Sequence, residues 1–306
     1  MLGAVVRRLA RLLATLIGLT VIVFLLMNLV PGDPARLAAG MAASQEMVDK
    51  MREELRLDQP LAVRYMHFLA NAVRGDLGRS WVSHQPIGRE VFNRWAATLQ
   101  LALFSTVLVC VFGLAMGVAC AIRPGGWLAG GLRMLSTIGV SVASFWLGLV
   151  LILTLSVRLG WFPSIGKAGL SSFVLPALSV ALYGVGVTAR QTETALAEAL
   201  LSNYIRTAWA KGLPQRAVIF KHALKNALIP VVTVLGLQFG YLMGSSVVVE
   251  VVFAWPGLGR WIAEAIAYRD LPVVQGGLIV LGATFVVLNF IVDLCYTWLD
   301  PRIRLH

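Results

Sequence analysis

Charge is the scarcest thing in this sequence. Only 13% of its 306 residues are Asp, Glu, Lys or Arg, against about 25% in an ordinary soluble domain. Acid is scarcer than base, with 15 Asp and Glu facing 26 Lys and Arg for a net charge of +11. A nucleic-acid-binding domain would gather such an excess into one basic patch. Here the bases flank long apolar runs, so no nucleic-acid partner is expected. Cysteine is nearly absent. Cys110, Cys120 and Cys295 fall inside apolar runs with no CxxC pair, so they read as small buried hydrophobes. The four histidines (His67, His84, His222, His306) lie outside those runs and lack metal-ligand spacing, so no metal site is expected. An intramembrane hydrolase would need a nucleophile beside a base within the runs, and none is found.

Nucleotide chemistry is missing as well. Gly160 to Lys167 mimics a phosphate loop, but five residues separate its glycines instead of four, and Ala168 stands where a metal-binding Ser or Thr belongs. Gly184-Val185-Gly186-Val187-Thr188-Ala189 mimics a dinucleotide fingerprint, yet lies in an apolar run without a βαβ context. No cofactor and no ATP site are expected in this chain, which reads as a non-enzyme.

What is present is apolar length. Hydrophobic residues make up 58% of the chain and the mean hydropathy is +0.79. They fall into runs of about 18–25 residues, long enough to cross a hydrocarbon core of about 30 Å as helix. Six spans are expected, at Leu9–Val30, Thr98–Ile122, Leu132–Val157, Phe173–Ala189, Asn226–Phe253 and Val273–Trp298. The fold class is an all-α membrane protein of about six transmembrane helices. The fourth span carries Pro176, Gly184 and Gly186, breakers that neighbouring helices can compensate. Arg7, Arg8, Arg11, Arg123, Arg133 and Arg190 flank one set of span ends with few acids, which by the positive-inside rule puts both termini in the cytoplasm.

The chain divides into residues 1–30 (first span), 31–95 (an outer polar cap) and 96–306 (a core of five spans with a long inner loop at 190–225). In the cap, Ser44 caps a helix through Leu57, Asp58-Gln59-Pro60 stops it, and Leu61 to Val73 forms a second helix. In the fifth span Gly236, Gly240 and Gly244 repeat every four residues, as do Gly113 and Gly117 in the second. Such faces let helices approach closely, either within the chain or at a subunit or gate interface. Glu250 and Asp293 are the ionisable residues nearest the bilayer, and such residues are functional candidates. Glu250 can also snorkel or pair with Arg260, and Asp293 can pair with Arg302.

The inner loop has a definite build. Ser202 or Asn203 caps a short helix over Asn203-Tyr204-Ile205-Arg206-Thr207-Ala208-Trp209-Ala210-Lys211-Gly212-Leu213; Gly212 ends it and Pro214 prevents its continuation. A second helix, Gln215 to Lys225, returns to the membrane. A short capped helix parallel to the membrane suits docking into a groove of a soluble partner.

These residues resemble the coupling loop of binding-protein-dependent ABC transporter permeases, in the dipeptide/oligopeptide/nickel branch. The resemblance covers nearly the whole chain. It rests on Ile17-Gly18-Leu19-Thr20, Pro31-Gly32-Asp33-Pro34, Leu57-Asp58-Gln59-Pro60 and Gly75-Asp76-Leu77-Gly78-Arg79-Ser80. It continues with Tyr204-Ile205-Arg206-Thr207-Ala208, Ala210-Lys211-Gly212 and His222-Ala223-Leu224-Lys225-Asn226-Ala227-Leu228-Ile229-Pro230. Phe253-Ala254-Trp255-Pro256-Gly257-Leu258-Gly259-Arg260, Arg269-Asp270-Leu271-Pro272-Val273-Val274-Gln275 and Asp300-Pro301-Arg302-Ile303-Arg304 complete it. Arg206-Thr207-Ala208 stands where the general permease pattern has Glu-Ala-Ala, and the proline comes late at Pro230, departures typical of this branch.

The resemblance implies a type I ABC importer permease fold in the bacterial inner membrane. Expected partners are a second, similar permease, two ATPase subunits that bind the ATP and Mg, a periplasmic solute-binding protein, and membrane lipid. Asn203, Tyr204, Arg206, Thr207, Ala208, Lys211, Gly212 and Leu213 would contact the ATPase. Gly236, Gly240, Gly244, Glu250, Trp255, Pro256 and Gly257 would form packing or gate surfaces, although Trp255-Pro256-Gly257 also reads as a plain interfacial turn. The expected cargo is a di- or oligopeptide, with nickel, a metallophore or glutathione as the alternative. A stand-alone secondary transporter would instead carry paired mid-membrane charges or inverted repeats, and neither is evident.

Overall fold

In a bilayer every backbone N–H and C=O must bond within the protein, so the apolar runs become helices. A computed structural model describes residues 2–40 and 42–299, with side chains from 7 to 292. The helices are α1 (Leu2–Leu29), α2 (Pro34–Ala39), α3 (Gln45–Glu54), α4 (Leu61–Val73) and α5 (Ile87–Ile122). Next come α6 (Trp127–Ser141), α7 (Ser144–Arg158), α8 (Ser171–Leu201) and α9 (Asn203–Ala210). The last three are α10 (Ala217–Val252), α11 (Leu258–Ala267) and α12 (Leu271–Leu299). Among the described residues the only β-type pairing is an isolated bridge between Arg79 and Pro86.

Among the described residues five helices are long and apolar enough to cross a membrane: Arg7–Leu29 of α1, α5, α8, α10 and Leu271–Val292 of α12. The expected third span is not one straight helix. It breaks at Val142-Ala143, where both residues are extended, and α6 and α7 meet at 107°. Counted as one broken span, the pair makes the sixth crossing. No Pro or Gly marks the break; packing decides it. A Cβ on Gly139 of α6 would lie 3.1 Å from the Leu182 carbonyl oxygen, and one on Gly148 of α7 would lie 2.9 Å from the Phe253 ring. Both halves thus lie against α8, Gly148 also through Ser179 (3.4 Å from that Cβ), and α7 in addition meets Phe253 just past α10.

The chain separates into two compact units, Met1–Thr98 with Pro256–Val287 and Leu99–Trp255 with Leu288–His306. The first unit holds the cap. Asp33 caps α2 by accepting the Ala35 N–H (3.0 Å), and its other oxygen takes the Arg52 guanidinium at 2.7 Å, tying α2 to α3. Ile87, Val91, Leu258, Ile262, Ala265, Val273 and Val274 form the buried core of this unit. Asp270 is the polar fixing above it. Its carboxylate accepts the Ser80 hydroxyl at 2.5 Å and the Trp81 N–H at 3.1 Å, clasping the 74–86 loop to the start of α12.

The second unit is built around α8. The span that carries the breakers Pro176, Gly184 and Gly186 is the most buried of the five, with 67% of its apolar window inside the protein. Its neighbours approach through glycine. A Cβ on Gly117 would sit 2.5 Å from the Ala189 carbonyl oxygen, and one on Gly113 would sit 2.8 Å from Thr188. In reverse, a Cβ on Gly186 of α8 would sit 2.5 Å from the Ser136 carbonyl oxygen, and one on Gly184 would sit 2.7 Å from Gln238 Oε1. The false dinucleotide fingerprint is therefore a close-packing face.

Candidate functional site

The 190–225 segment begins as helix, because α8 runs on to Leu201 before the chain turns. Ser202 occupies the cap position of α9 with an extended backbone (φ −71°, ψ 154°). Its hydroxyl does not cap α9; it donates back to the Ala199 carbonyl at 2.5 Å. The Ser202 carbonyl accepts the Ile205 and Arg206 N–H groups at 3.2 and 3.3 Å.

The far end of α9 is closed by Gly212 at φ 74°. There the Gly212 N–H bonds Trp209 O (2.9 Å) and the Leu213 N–H bonds Ala208 O (3.4 Å). This left-handed closure satisfies carbonyls that would otherwise lack partners. Beyond Pro214 the chain does not form a separate helix and a separate span. It passes through a wide turn of π-helix at Ala217–Ala223 and continues unbroken to Val252 as α10. The expected boundary near Lys225 is therefore absent.

α9 has two faces. Ile205 and Ala208 are buried, 0% and 7% exposed. With Leu213 they pack on Ala121, Ala195, Leu196, Val218, Ala223, Ala227 and Val231. Asn203, Tyr204, Arg206, Thr207, Trp209, Ala210 and Lys211 face out. Trp209, which did not stand out in the sequence, is 46% exposed and shares the outward surface with Tyr204 at 42%. Ala208 and Leu213 hold α9 to its own protein, while the other residues form a basic, aromatic outer surface.

The remaining candidates run from the middle of α10 to just beyond its far end. Gly244 faces open space, Gly240 is buried and Gly236 half-buried. Gly113 and Gly117 are internal packing surfaces, so the two glycine repeats have different fates. Glu250 is fully buried and does not snorkel; its Oε1 accepts the Ser246 hydroxyl at 3.4 Å. Trp255 is fully buried too, with its ring meeting Phe173 edge-on at 4.6 Å. The Lys167 ammonium sits 5.8 Å from both rings and donates to Gln100 Oε1 at 2.6 Å. Just past the end of α10, Ala254 lies in the left-handed region (φ 48°) and the Trp255 N–H bonds Glu250 O at 2.8 Å. Pro256 and Gly257 belong to the other unit, where Gly257 precedes α11 and the Leu258 N–H bonds Thr98 Oγ1 at 2.8 Å. The Asp293 and Cys295 side chains and the 300–306 tail with Arg302 and Arg304 lie outside the described residues.

Residues 113–305 match the family described as "Binding-protein-dependent transport system inner membrane component". The chain belongs to this family. Residues 1–102 match its companion, "Binding-prot-dependent transport system membrane comp, N-term". Among curated relatives, the glutathione transport system permease protein GsiC of Escherichia coli K12 is 41% identical over 304 residues, covering 99% of both chains. The GsiC proteins of Salmonella choleraesuis and Shigella flexneri match at the same identity and coverage. Among solved structures, the inward-facing MetNI methionine ABC transporter aligns with TM-score 0.58 at 22% identity. The alignment covers 69% of this chain and 96% of that one, and it shows the ABC importer permease fold.

Proposed function

We propose that this chain is one of two permease subunits of an ATP-driven importer, and that α9 is the helix its ATPase partner grips. The build of α9 carries the reading. It is seated by Ile205 and Ala208, closed by Gly212, and turns Tyr204, Arg206, Thr207, Trp209 and Lys211 outward. Aromatic and Arg side chains are the types that dominate interface hot spots. In this reading, closure of two ATPases on ATP draws together two docked helices, one from each permease. The rigid link from α9 through the 217–223 turn into α10 carries the movement to the outer end. The permease pair then tips from inward- to outward-facing and accepts ligand from a solute-binding protein. Both termini lie in the cytoplasm and the cap outside. The open face at Gly244 is a seat for the second permease, and Trp255 on Phe173 is part of the outer closure.

The sequence favours a peptide cargo first and places glutathione among the alternatives. The 41% identity to glutathione permeases over nearly the full length supports glutathione, itself a tripeptide thiol, as the cargo. The test is uptake of labelled glutathione by proteoliposomes holding this chain, its second permease, the ATPases and the solute-binding protein. Uptake should need ATP and saturate, and excess dipeptide should leave it unchanged. Transport of dipeptide or nickel in place of glutathione would return the cargo to those classes. Loss of ATP dependence for every cargo would sink the importer reading.

A further inference from the structure

α4 is fastened to the first span well below that span's outer end. The Tyr65 hydroxyl lies 2.9 Å from Thr20 Oγ1. Phe24 meets Tyr65 edge-on at 5.5 Å and stacks with Phe68 at 5.9 Å. Thr20 and Phe24 precede the end of α1 by nine and five residues, about 13 and 8 Å at the helical rise. Both lie inside the apolar run Arg7–Leu29.

The rest of α4 sorts into two surfaces. At 100° per residue, Ala62, Val63, Met66, Ala70 and Val73 form one contiguous apolar face, and all five are exposed, Met66 at 62% and Val73 at 81%. Arg64, His67 and Asn71 form a polar edge along one side of that face, with His67 next to Val63 and its Nε2 2.9 Å from the Arg56 guanidinium. A shallow depression of about 430 Å³ is lined by Ala62, Val63, Met66 and His67. Beside α4, α1 exposes Ile17, Ile22, Leu25, Leu26 and Leu29, as a span facing acyl chains does.

We infer that α4 is an interfacial helix, its Ala62, Val63, Met66, Ala70 and Val73 face lying among the acyl chains of the leaflet on the cap side. Arg64, His67 and Asn71 reach the headgroups. The occupant is lipid, because the apolar face continues the lipid-facing surface of the span to which α4 is bound. Its build, one apolar face beside a polar edge, is that of helices lying about 5–10 Å into the headgroup and acyl boundary. The 31–95 region is then anchored in the membrane at α4 and does not simply rest on it.

The test uses the assembled transporter in phospholipid nanodiscs, with Cys110→Ala, Cys120→Ala and Cys295→Ala as background and single cysteines at Met66→Cys, Val73→Cys and His67→Cys. Bimane at positions 66 and 73 should be quenched by lipids spin-labelled near the headgroup end of the chain. Both positions should react with an impermeant maleimide about tenfold more slowly than position 67. Equal reaction at 66 and 67, with quenching by aqueous iodide, would overturn the inference. So would protection of 66 and 73 from both water and lipid quencher, which would put a protein there. Because Val73 is at the helix end, its variant keeps the test decisive if Met66→Cys disturbs assembly.

Discussion

A carboxylate in a mostly apolar protein needs donors, and Asp270 finds them in a distant loop. Ser80 Oγ and the Trp81 N–H serve it across about 190 residues of sequence, while Ser80 Oγ also accepts the Ser83 N–H at 2.9 Å. Hydrogen bonds to a charged, buried group contribute about 1.5–3 kcal/mol each before coupling is counted. Asp270→Ala should therefore lower stability by about 2–4 kcal/mol, read as a fall in the thermal midpoint in detergent. Asp270→Asn should cost less, because its amide oxygen can still accept from Trp81. Equal, negligible effects would show that the clasp is not needed. Other residues of the sequence resemblance also work as fixings. Asp33 caps α2 and pairs with Arg52, Asp76 Oδ1 accepts the Gly78 N–H at 2.9 Å, and Gly212 closes α9. Their sequence pattern marks corners of the fold, and corners are where single residues are hardest to replace.

Among elements, α8 shows why breakers in a membrane span are ambiguous until neighbours are known. Its glycines, and those facing it, leave no room for a side chain. Gly117→Val should push Thr192 and the Ala189 carbonyl away, both 2.5 Å from the first added carbon. Overpacking of this kind typically costs about 1–3 kcal/mol and more where backbone must shift. The expected outcome is poor accumulation of folded protein in the membrane. Gly244→Val, on an open surface of the isolated chain, should leave its folding intact; an equal loss of folded monomer would contradict that assignment. α9 is a different case, in which the outward residues carry little folding energy. Trp209→Ala should leave insertion and thermal midpoint unchanged, yet reduce ATP-driven uptake by about tenfold or more, as the loss of about 2 kcal/mol at an interface hot spot implies. Wild-type uptake in this variant would remove Trp209 from the docking surface.

For the whole molecule, charge asymmetry gives a further expectation. The α9 loop and the start of α10 carry Arg206, Lys211, Arg216, Lys221 and Lys225 and no acid. A partner groove that receives them is acidic in this reading. Raising salt from about 0.05 to about 0.5 M should weaken binding of the ATPase subunits to the detergent-solubilised permease by about tenfold, chiefly through a slower on-rate. Salt-independent binding would mean that apolar contacts at Tyr204 and Trp209 dominate. The class of the molecule was legible in the chain, because apolar runs matched to bilayer thickness and basic residues at their ends are local properties. The sequence also located α9, since a glycine followed two residues later by a proline is a local helix-stop pattern. It did not reveal the break at Val142-Ala143, the central place of α8, or the union of residues 217–252 into one helix. These emerge from packing between helices, because each depends on which surface a glycine or carbonyl meets. The membrane-facing side of α4 was hidden for the same reason: its pattern is amphipathic in either setting, and its attachment to Thr20 and Phe24 determines which solvent the apolar face meets.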